Sequence, residues 1–147
     1  MKNTFKKRER LKSSKEIGEL LSSGQSFNIW PFKVYWKTSD VTHHMSHIRI
    51  ALLVSKKNFK KAVDRNLIKR RMRESYRVKK HPLFNLMHEK KLYLTFVIIY
   101  LPNEILSYDQ ISAGINDIIT SLVFLDTIRP SDYSGSSGSI FLSFLLS

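Results

Sequence analysis

The 147-residue sequence contains no cysteine, few acidic residues for its many basic ones, and no long hydrophobic run. The absence of cysteine excludes disulfides, thiolate metal sites and cysteine nucleophiles, and it fits a reducing compartment. The most apolar stretches, residues 92–101 and 140–146, fall well short of the roughly 20 residues that a membrane-spanning helix needs. The basic N-terminus continues into polar sequence rather than the apolar core of an export signal. We therefore expect a soluble, cytoplasmic protein with no membrane contact.

Positive charge is the dominant feature of the composition. Lysine and arginine total 25 against 12 aspartate and glutamate residues, which gives a formal net charge of +13. Residues 2–15 hold seven of the cations, and residues 56–80 hold twelve, with Asp64 and Glu74 as the acids of that second segment. Such an excess opposes self-association and raises the affinity for phosphate-rich partners. Nucleic acid is the leading partner class.

Hydrophobic periodicity indicates one α/β (α+β) domain over residues 1–125 and a flexible tail over residues 126–147. The tail combines a linker-like composition with a short apolar end. The order α-β-β-α-β-α predicts a sandwich of helices on one mixed sheet, with a hairpin linking the first two strands. The expected elements are a helix at 14–22 stopped by Gly24, strands at 27–37 and 48–55, a helix at 62–79 ended by His81-Pro82, a strand at 92–100 and a helix at 107–124.

The first predicted strand, residues 27–37, has two chemically different faces. Alternation places Trp30, Phe32, Val34 and Trp36 on one face and Phe27, Lys33, Tyr35 and Lys37 on the other. Aromatic rings interleaved with cations suit unpaired bases that stack beside their phosphates. The alternative is that Phe27 and Tyr35 simply pack beneath a helix. Both readings remain open from the pattern alone.

The segment "RNLIKRRMRESYR", residues 65–77, separates an anchoring row from a cationic face. At about 100° per residue, one arc of roughly 140° carries the polar side chains, and these are Arg65, Asn66, Lys69, Arg70, Arg73 and Arg77. Ile68, Met72 and Tyr76 form a row beside this arc. A solvated helix face would normally mix charge signs, since like charges four residues apart repel each other. Guanidinium groups match phosphate oxygens, so the arc predicts that the helix binds a polyanion.

RNA is favoured over DNA as that polyanion. A DNA-binding regulator would place a second helix against the basic one as a helix-turn-helix, whereas strand-like segments precede residue 62 and follow residue 91. An RNA binder would use this helix to contact the phosphate backbone and to recognise the shape of the RNA. Side chains cannot reach the base edges in the deep, narrow major groove of an RNA helix. The mixed aromatic and basic strand face adds to this preference.

The sequence offers little for a self-sufficient protein nuclease. Such an enzyme would need clustered carboxylates for metal ions or a positioned histidine base. His43, His44 and His47 have a plausible spacing, but Asp40 is the carboxylate beside them, and exposed turn histidines are the simpler interpretation. Glycine-rich phosphate loops and hydrolase triads are absent from the sequence. We therefore expect no metal site in the protein.

Three segments resemble the protein subunit of bacterial ribonuclease P, which matures the 5′ end of transfer RNA precursors. They are the arm and first helix "FKKRERLKSSKEIGELLSSG", the strand and basic turn "IRIALLVSKK", and the arginine- and asparagine-rich helix "AVDRNLIKRRMRES". The resemblance covers about residues 5–123. It implies a left-handed crossover connection around the basic helix, although such connections between parallel strands are usually right-handed. It also implies that an RNA subunit hydrolyses the phosphodiester with Mg²⁺, while the protein binds that RNA and the precursor's 5′ leader.

The resemblance carries specific residues into that role. RNA binding is implied for Arg10, Lys56, Lys57, Arg65, Asn66, Lys69, Arg70 and Arg73, and the cationic arc adds Arg77. The predicted leader-binding cleft consists of Ile17, Leu21, Phe27, Lys33 and Tyr35, where Tyr35 takes the place of an aromatic residue on the family's cleft floor. The alternative function is a general or ribosome-associated RNA-binding protein without a ribozyme partner.

The sequence departs from the family at several positions. Leu67 replaces the second arginine that usually follows the asparagine, which leaves one phosphate contact missing or shifted to Arg71. Ile17 and Leu21 replace phenylalanines of the first helix that line the cleft in the family. This weakens the expectation that the first helix stacks on bases. The loop at residues 58–61 lacks the family's glycine and is one residue longer.

Overall fold

The computed structural model describes residues 5–39 and 46–128 of the chain. The described part contains one four-stranded sheet with four α-helices. In chain order the elements are a 3-10 turn at Lys7–Glu9, α1 (Ser14–Ser23), β1 (Gln25–Ile29), β2 (Phe32–Ser39), β3 (Ile48–Val54), α2 (Ala62–Lys79), α3 (His81–Lys90), β4 (Tyr93–Tyr100) and α4 (Tyr108–Ile128). The predicted class, helices on one mixed sheet, is confirmed.

The strand order in the sheet is β1-β2-β4-β3. β1 pairs with β2 and β2 with β4 in antiparallel fashion, whereas β3 and β4 are parallel. The predicted hairpin between β2 and β3 is therefore wrong, because β4 is inserted between them. The parallel β3–β4 pair needs the long connection through α2 and α3. The left-handed sense of that crossover stays a prediction.

The main core lies between one face of the sheet and three helices. α2 contributes Ile68, Met72 and Tyr76, all fully buried, so the predicted anchoring row is confirmed. α4 contributes its isoleucines and leucines at helical spacing, namely Ile111, Ile115, Ile118, Ile119, Leu122 and Leu125. Burying these two helix stripes against the strands fixes the position of α2 on the sheet.

The second face of the sheet has a smaller apolar cluster and is only partly covered, by α1 and the N-terminal arm, residues 5–13. Leu11 and Leu20 pack there on Ala51 and Val97, with Ile17, Tyr35, Leu53 and Ile99 partly buried around them. Ser13 caps the N-terminus of α1, since its hydroxyl accepts a hydrogen bond from the Glu16 backbone N–H at 3.3 Å. The helix is followed by Gly24, as predicted, because a Cβ there would lie 2.5 Å from the Leu20 carbonyl oxygen.

The predicted strand over residues 27–37 is in fact two strands joined by a two-residue turn at Trp30 and Pro31. The antiparallel register pairs Phe27 with Val34, which places both side chains on the main-core face. The prediction that Phe27 shares a face with Tyr35 is therefore wrong. Trp30 was expected on one strand face with Phe32, Val34 and Trp36, but it is exposed at the turn.

A further helix, α3, follows α2 directly and was not predicted. Pro82 does end α2 near the expected residue, yet it stands in the first turn of α3, where a helix needs no N–H donor. Leu83 and Met87 anchor the new helix in the main core. Lys91 follows the last residue of α3 and caps the helix in the left-handed conformation, with φ 56°.

α4 is longer than the pattern predicted, since it reaches Ile128 rather than residue 124. The domain boundary predicted at residue 125 consequently falls inside this helix. The expected tail from residue 129 onward lies outside the described residues. Among the helices of residues 5–39 and 46–128, none has the length and apolar character to cross a membrane.

Candidate nucleic-acid interface

The cationic arc of α2 faces away from the core, as its periodicity predicted. Asn66, Arg70 and Arg73 are exposed, whereas Arg65 and Lys69 are half-buried at the edge of the arc. The buried row beside the arc, Ile68, Met72 and Tyr76, holds α2 in place, so the backbone that carries the arc is fixed. A fixed row of cations is suited to binding several phosphates at once.

Arg65 connects the arc to the basic loop, residues 55–61. Its Nη1 donates hydrogen bonds to the carbonyl oxygens of Phe59 at 2.7 Å and Lys60 at 3.0 Å. Phe59 is buried, and its backbone N–H bonds to the Ser55 carbonyl at 3.1 Å. Lys56 and Lys57 are exposed on this ordered loop. A guanidinium has five donors, so Arg65 can fix the loop and still bind a phosphate.

Two other arginines of α2 are held by protein groups. Arg77 Nε donates to Glu74 Oε2 at 3.1 Å in an exposed ion pair, and this hydrogen bond lowers the pKa of Glu74. Arg71 Nη1 donates a hydrogen bond to the carbonyl oxygen of Leu106, which lies in the segment just before α4. Arg71 therefore does not lie with the arc, and the idea that it replaces the contact missing at Leu67 finds no support in its position.

The N-terminal arm forms a second basic wall beside α2. Its backbone follows the outer edge of β3, where the Leu11 N–H bonds to the Ile50 carbonyl at 2.8 Å. The Phe5 ring packs edge-on against Tyr76 at 5.5 Å, and the Arg10 guanidinium lies 5.3 Å from the Phe5 ring centre. Arg10 is thereby held by a cation–π contact next to α2.

An open groove of about 310 Å³ separates these two basic walls. Arg10 and Lys12 line it from the arm, and Lys69 and Arg73 line it from α2. Its apolar floor consists of Phe5, Leu11, Ile17, Ile50, Ala51, Leu52 and Leu53. Lys12 was not among the residues predicted from the sequence. Its position two residues after Arg10 could have indicated it, because residues i and i+2 of an extended segment point to the same side.

Tyr35 lies on the same sheet face as this floor, partly buried in the cluster with Leu11 and Val97. The Lys33 ammonium is 5.2 Å from the centre of the Tyr35 ring, so the predicted pairing of a cation with an aromatic ring exists on β2. Of the predicted cleft residues, Ile17, Lys33 and Tyr35 thus come together on this face. Their contact with a leader stays a prediction.

Two predicted cleft residues are placed elsewhere. Phe27 is buried in the main core on the opposite face of the sheet. Leu21 is exposed on α1, whereas Leu20 is the α1 leucine that packs on the sheet. The i, i+3, i+4 pattern of α1 could not decide which leucine faces inward, because both fit a helical stripe.

His47 has structural contacts instead of being a solvent-exposed turn residue. Its ring stacks on Tyr93 at 4.5 Å, lies edge-on to His88 at 5.1 Å, and its Nδ1 is 2.9 Å from the Leu92 carbonyl oxygen. His43 and His44 lie outside the described residues. In the part of the chain that the structure describes, no three His, Cys, Asp or Glu residues are grouped so that they could hold a metal ion.

Comparison with known proteins agrees with this arrangement. The family model for ribonuclease P matches residues 5–123. The ribonuclease P protein component of Porphyromonas gingivalis is 32% identical over 99 residues, which covers 67% of this chain and 72% of the relative. That of Chlorobium phaeobacteroides is 34% identical over 106 residues, covering 67% and 73%.

Solved structures show the same fold. The ribonuclease P protein of Staphylococcus aureus superposes with a TM-score of 0.59 at 25% identity, covering 76% of this chain and 93% of that one. The Thermotoga maritima protein gives a TM-score of 0.59 at 21% identity, covering 76% and 94%. Together with the basic helix and the half-open sheet face, these matches show that the chain belongs to the ribonuclease P protein family, the protein components of an endoribonuclease with an RNA partner.

Proposed function

We propose that this chain binds the RNA subunit of ribonuclease P and the 5′ leader of precursor tRNA, and so assists endonucleolytic removal of the leader. The observation that carries the proposal is the juxtaposition of the α2 arc and a groove with an apolar floor and cationic walls. Structured RNA presents phosphates on a rigid surface, which suits the exposed arc. A single strand also presents unpaired bases, which suit a half-open face that carries Tyr35.

The chemistry of the reaction is assigned to the RNA partner. Mg²⁺ is bound by carboxylate and other oxygen ligands, and the best-placed acids near the arc are committed to ion pairs, Glu74 with Arg77 and Glu9 with Lys80. The described residues therefore do not fit a Mg²⁺ site, since no three His, Cys, Asp or Glu residues among them are grouped so that they could hold the ion. We place the ion in the RNA active site and assign to the protein the binding and orientation of phosphates. We also place the protein in the cytoplasm, where precursor tRNA is processed.

Reconstituted cleavage tests the proposal directly. Purified protein is added to a bacterial ribonuclease P RNA with precursor tRNA, and the Mg²⁺ concentration for half-maximal cleavage is measured with and without it. We expect the protein to lower this concentration, because its cations neutralise phosphates that Mg²⁺ must otherwise screen. An unchanged Mg²⁺ requirement would contradict the proposal.

A leader-length series separates this function from general RNA binding. Precursors with leaders of increasing length are compared with mature tRNA in binding to the protein–RNA complex. Affinity should rise with leader length until the groove is filled and then become constant. Equal affinity with and without a leader would instead identify a ribosome-associated or general RNA-binding protein.

A further inference from the structure

Trp30 is an exposed tryptophan that neither the core nor the groove uses. It is 63% exposed at the turn between β1 and β2, whereas Trp36 is 5% exposed in the main core. Tryptophan is highly buried on average in folded proteins. Leu101, 47% exposed, lies next to this turn, since its backbone N–H bonds to the Pro31 carbonyl at 3.0 Å. An apolar surface with a large flat ring is thus open to solvent here.

The strand register places this turn beside the basic loop. Tyr100 of β4 pairs with Phe32 of β2 on one side and with Val54 of β3 on the other. The Trp30 turn, Leu101 and the loop that follows β3 therefore lie at the same end of the sheet. Strands two apart in a sheet are separated by about 10 Å. Asn58 of the loop also donates from Nδ2 to the Leu101 carbonyl at 3.5 Å, which links the two segments.

The charge around this end of the sheet is predominantly positive. The basic loop carries Lys56, Lys57, Lys60 and Lys61, all exposed, while Asp64 and Glu104 are the acids in the adjoining segments. A basic or neutral protein partner would gain little from four lysines beside an apolar ring. An unpaired nucleotide offers both groups that this surface can bind, a flat base for the ring and a phosphate for the ammonium groups.

We propose that Trp30 is a stacking site for an unpaired base of RNA, with Lys56 and Lys57 binding the phosphates that flank that base. This inference rests on the proposed function and extends it to a surface at the end of the sheet, outside the groove. The turn lies between paired strands, and Arg65 fixes the neighbouring loop, so little order has to be gained on binding.

Affinity measurements on substituted proteins form the first part of the test. The probes are a mixed-sequence single-stranded RNA and a bacterial ribonuclease P RNA. Trp30→Ala should weaken binding to at least one of them by roughly five- to 150-fold, the range for loss of one stacked base, whereas Trp30→Phe should retain most of the affinity. Val78→Ala is the matched control, because Val78 is also an exposed apolar residue and lies about 24 Å from the loop along α2.

Acrylamide quenching forms the second part, and Trp36 serves as its internal reference. The emission that is lost in Trp30→Phe belongs to Trp30. We expect acrylamide to quench this emission strongly in free protein and weakly when the single-stranded RNA is bound. An RNA duplex and inorganic polyphosphate should protect Trp30 much less, since neither presents an unpaired base.

The outcomes are distinguishable from failure of the proposed function. If Trp30→Ala binds both RNAs as tightly as the unchanged protein while Lys56→Ala does not, the stacking site is wrong and RNA binding stands. Equal protection by polyphosphate, or continued quenching of Trp30 in every RNA complex, would also overturn it. If the protein does not stimulate cleavage at all, the proposed function itself fails.

Discussion

Glu9 and Lys80 form a buried ion pair that joins segments 71 residues apart in the sequence. Glu9 Oε1 lies 2.6 Å from Lys80 Nζ, and the residues are 3% and 4% exposed. The second carboxylate oxygen of Glu9 accepts a hydrogen bond from the Lys6 backbone N–H at 2.7 Å. Burial, with a smaller effect from the charge of Glu9, raises the pKa of the nearby Tyr76 far above its usual value. The pair fastens the basic arm to the junction of α2 and α3.

Removing the charge of Glu9 should destabilise the fold and also weaken RNA binding. Glu9→Gln leaves Lys80 buried without a counter-charge, which costs about 3–5 kcal/mol in comparable buried pairs. Urea unfolding measures this loss. The RNA result is the more informative one, because neutralising an acid should by charge alone tighten the binding of a polyanion. We expect weaker binding, since Arg10 and Lys12 lose their position along the groove.

Two variants control for these effects. Glu19→Gln removes an exposed acid from α1 and should tighten RNA binding slightly at unchanged stability. A Glu9→Met, Lys80→Met double variant replaces the pair by apolar side chains and should recover most of the stability. If Glu9→Gln bound RNA more tightly, as charge alone requires, the arm would not depend on this pair.

The exposed arginines of α2 should act through phosphates. Arg70→Ala and Arg73→Ala are each expected to lower RNA affinity for all sequences and to reduce the slope of log affinity against log salt by about one. Arg71 is the matched control within the same helix, because its guanidinium binds the Leu106 carbonyl. Arg71→Ala should cost about 1.5 kcal/mol of stability and leave the salt slope unchanged. A smaller slope for Arg71→Ala than for Arg70→Ala would contradict the assigned arc.

Local periodicity was sufficient to locate several elements of the sheet and its helices. β3, α2, β4 and most of α4 lie where their apolar spacing predicted, because each buries a regular stripe against one core. The prediction of strand faces from alternation was wrong for the residues before Trp30 and Pro31. The two-residue turn there places odd-numbered β1 residues on the same face as even-numbered β2 residues. A strand pattern that continues across a turn cannot reveal that change of face.

The remaining errors have long-range causes. Insertion of β4 between β2 and β3 depends on the packing of α2 and α3, which no local pattern encodes. α3 was not predicted, because a proline such as Pro82 is found both after the end of a helix and in the first turn of the next one. The groove was predicted in part, through Arg10, Ile17, Lys69 and Arg73. The approach of the arm to α2 includes an ion pair between Glu9 and Lys80 that sequence spacing could not indicate.

Tyr35 should matter for precursor RNA that carries a leader. Its ring is half-buried on the open sheet face, next to the Lys33 ammonium. Tyr35→Ala should weaken binding of leader-bearing precursor to the protein–RNA complex by about 1–3 kcal/mol if a base stacks there. Binding of mature tRNA should be unaffected, and Tyr35→Phe should retain the affinity. An equal loss for both RNAs would indicate a general structural effect and not a leader contact.

The carboxyl of Glu74 should titrate below its usual value of 4.5, because Arg77 donates a hydrogen bond to it. A pKa that is lowered in the folded state contributes stability above pH 4.5 and loses that contribution as the pH falls through the folded value. The pair is accessible to solvent, so its effect on stability is small. A carboxyl carbon NMR titration should show the lowered pKa, and Arg77→Met should return it towards 4.5.

Glu74 should also limit how strongly α2 binds RNA. Its carboxylate neutralises Arg77 at the end of the cationic arc, so a phosphate that approaches Arg77 has to compete with it. Glu74→Gln removes this competitor, and we expect tighter RNA binding with a salt slope that increases by up to about one. Glu89→Gln, which removes an exposed acid from α3, controls for net charge and should change the slope much less. If Arg77→Met lowers RNA affinity only in the Glu74→Gln background, Arg77 is a phosphate ligand that Glu74 holds back. If it lowers affinity in neither background, Arg77 does not belong to the RNA-binding surface.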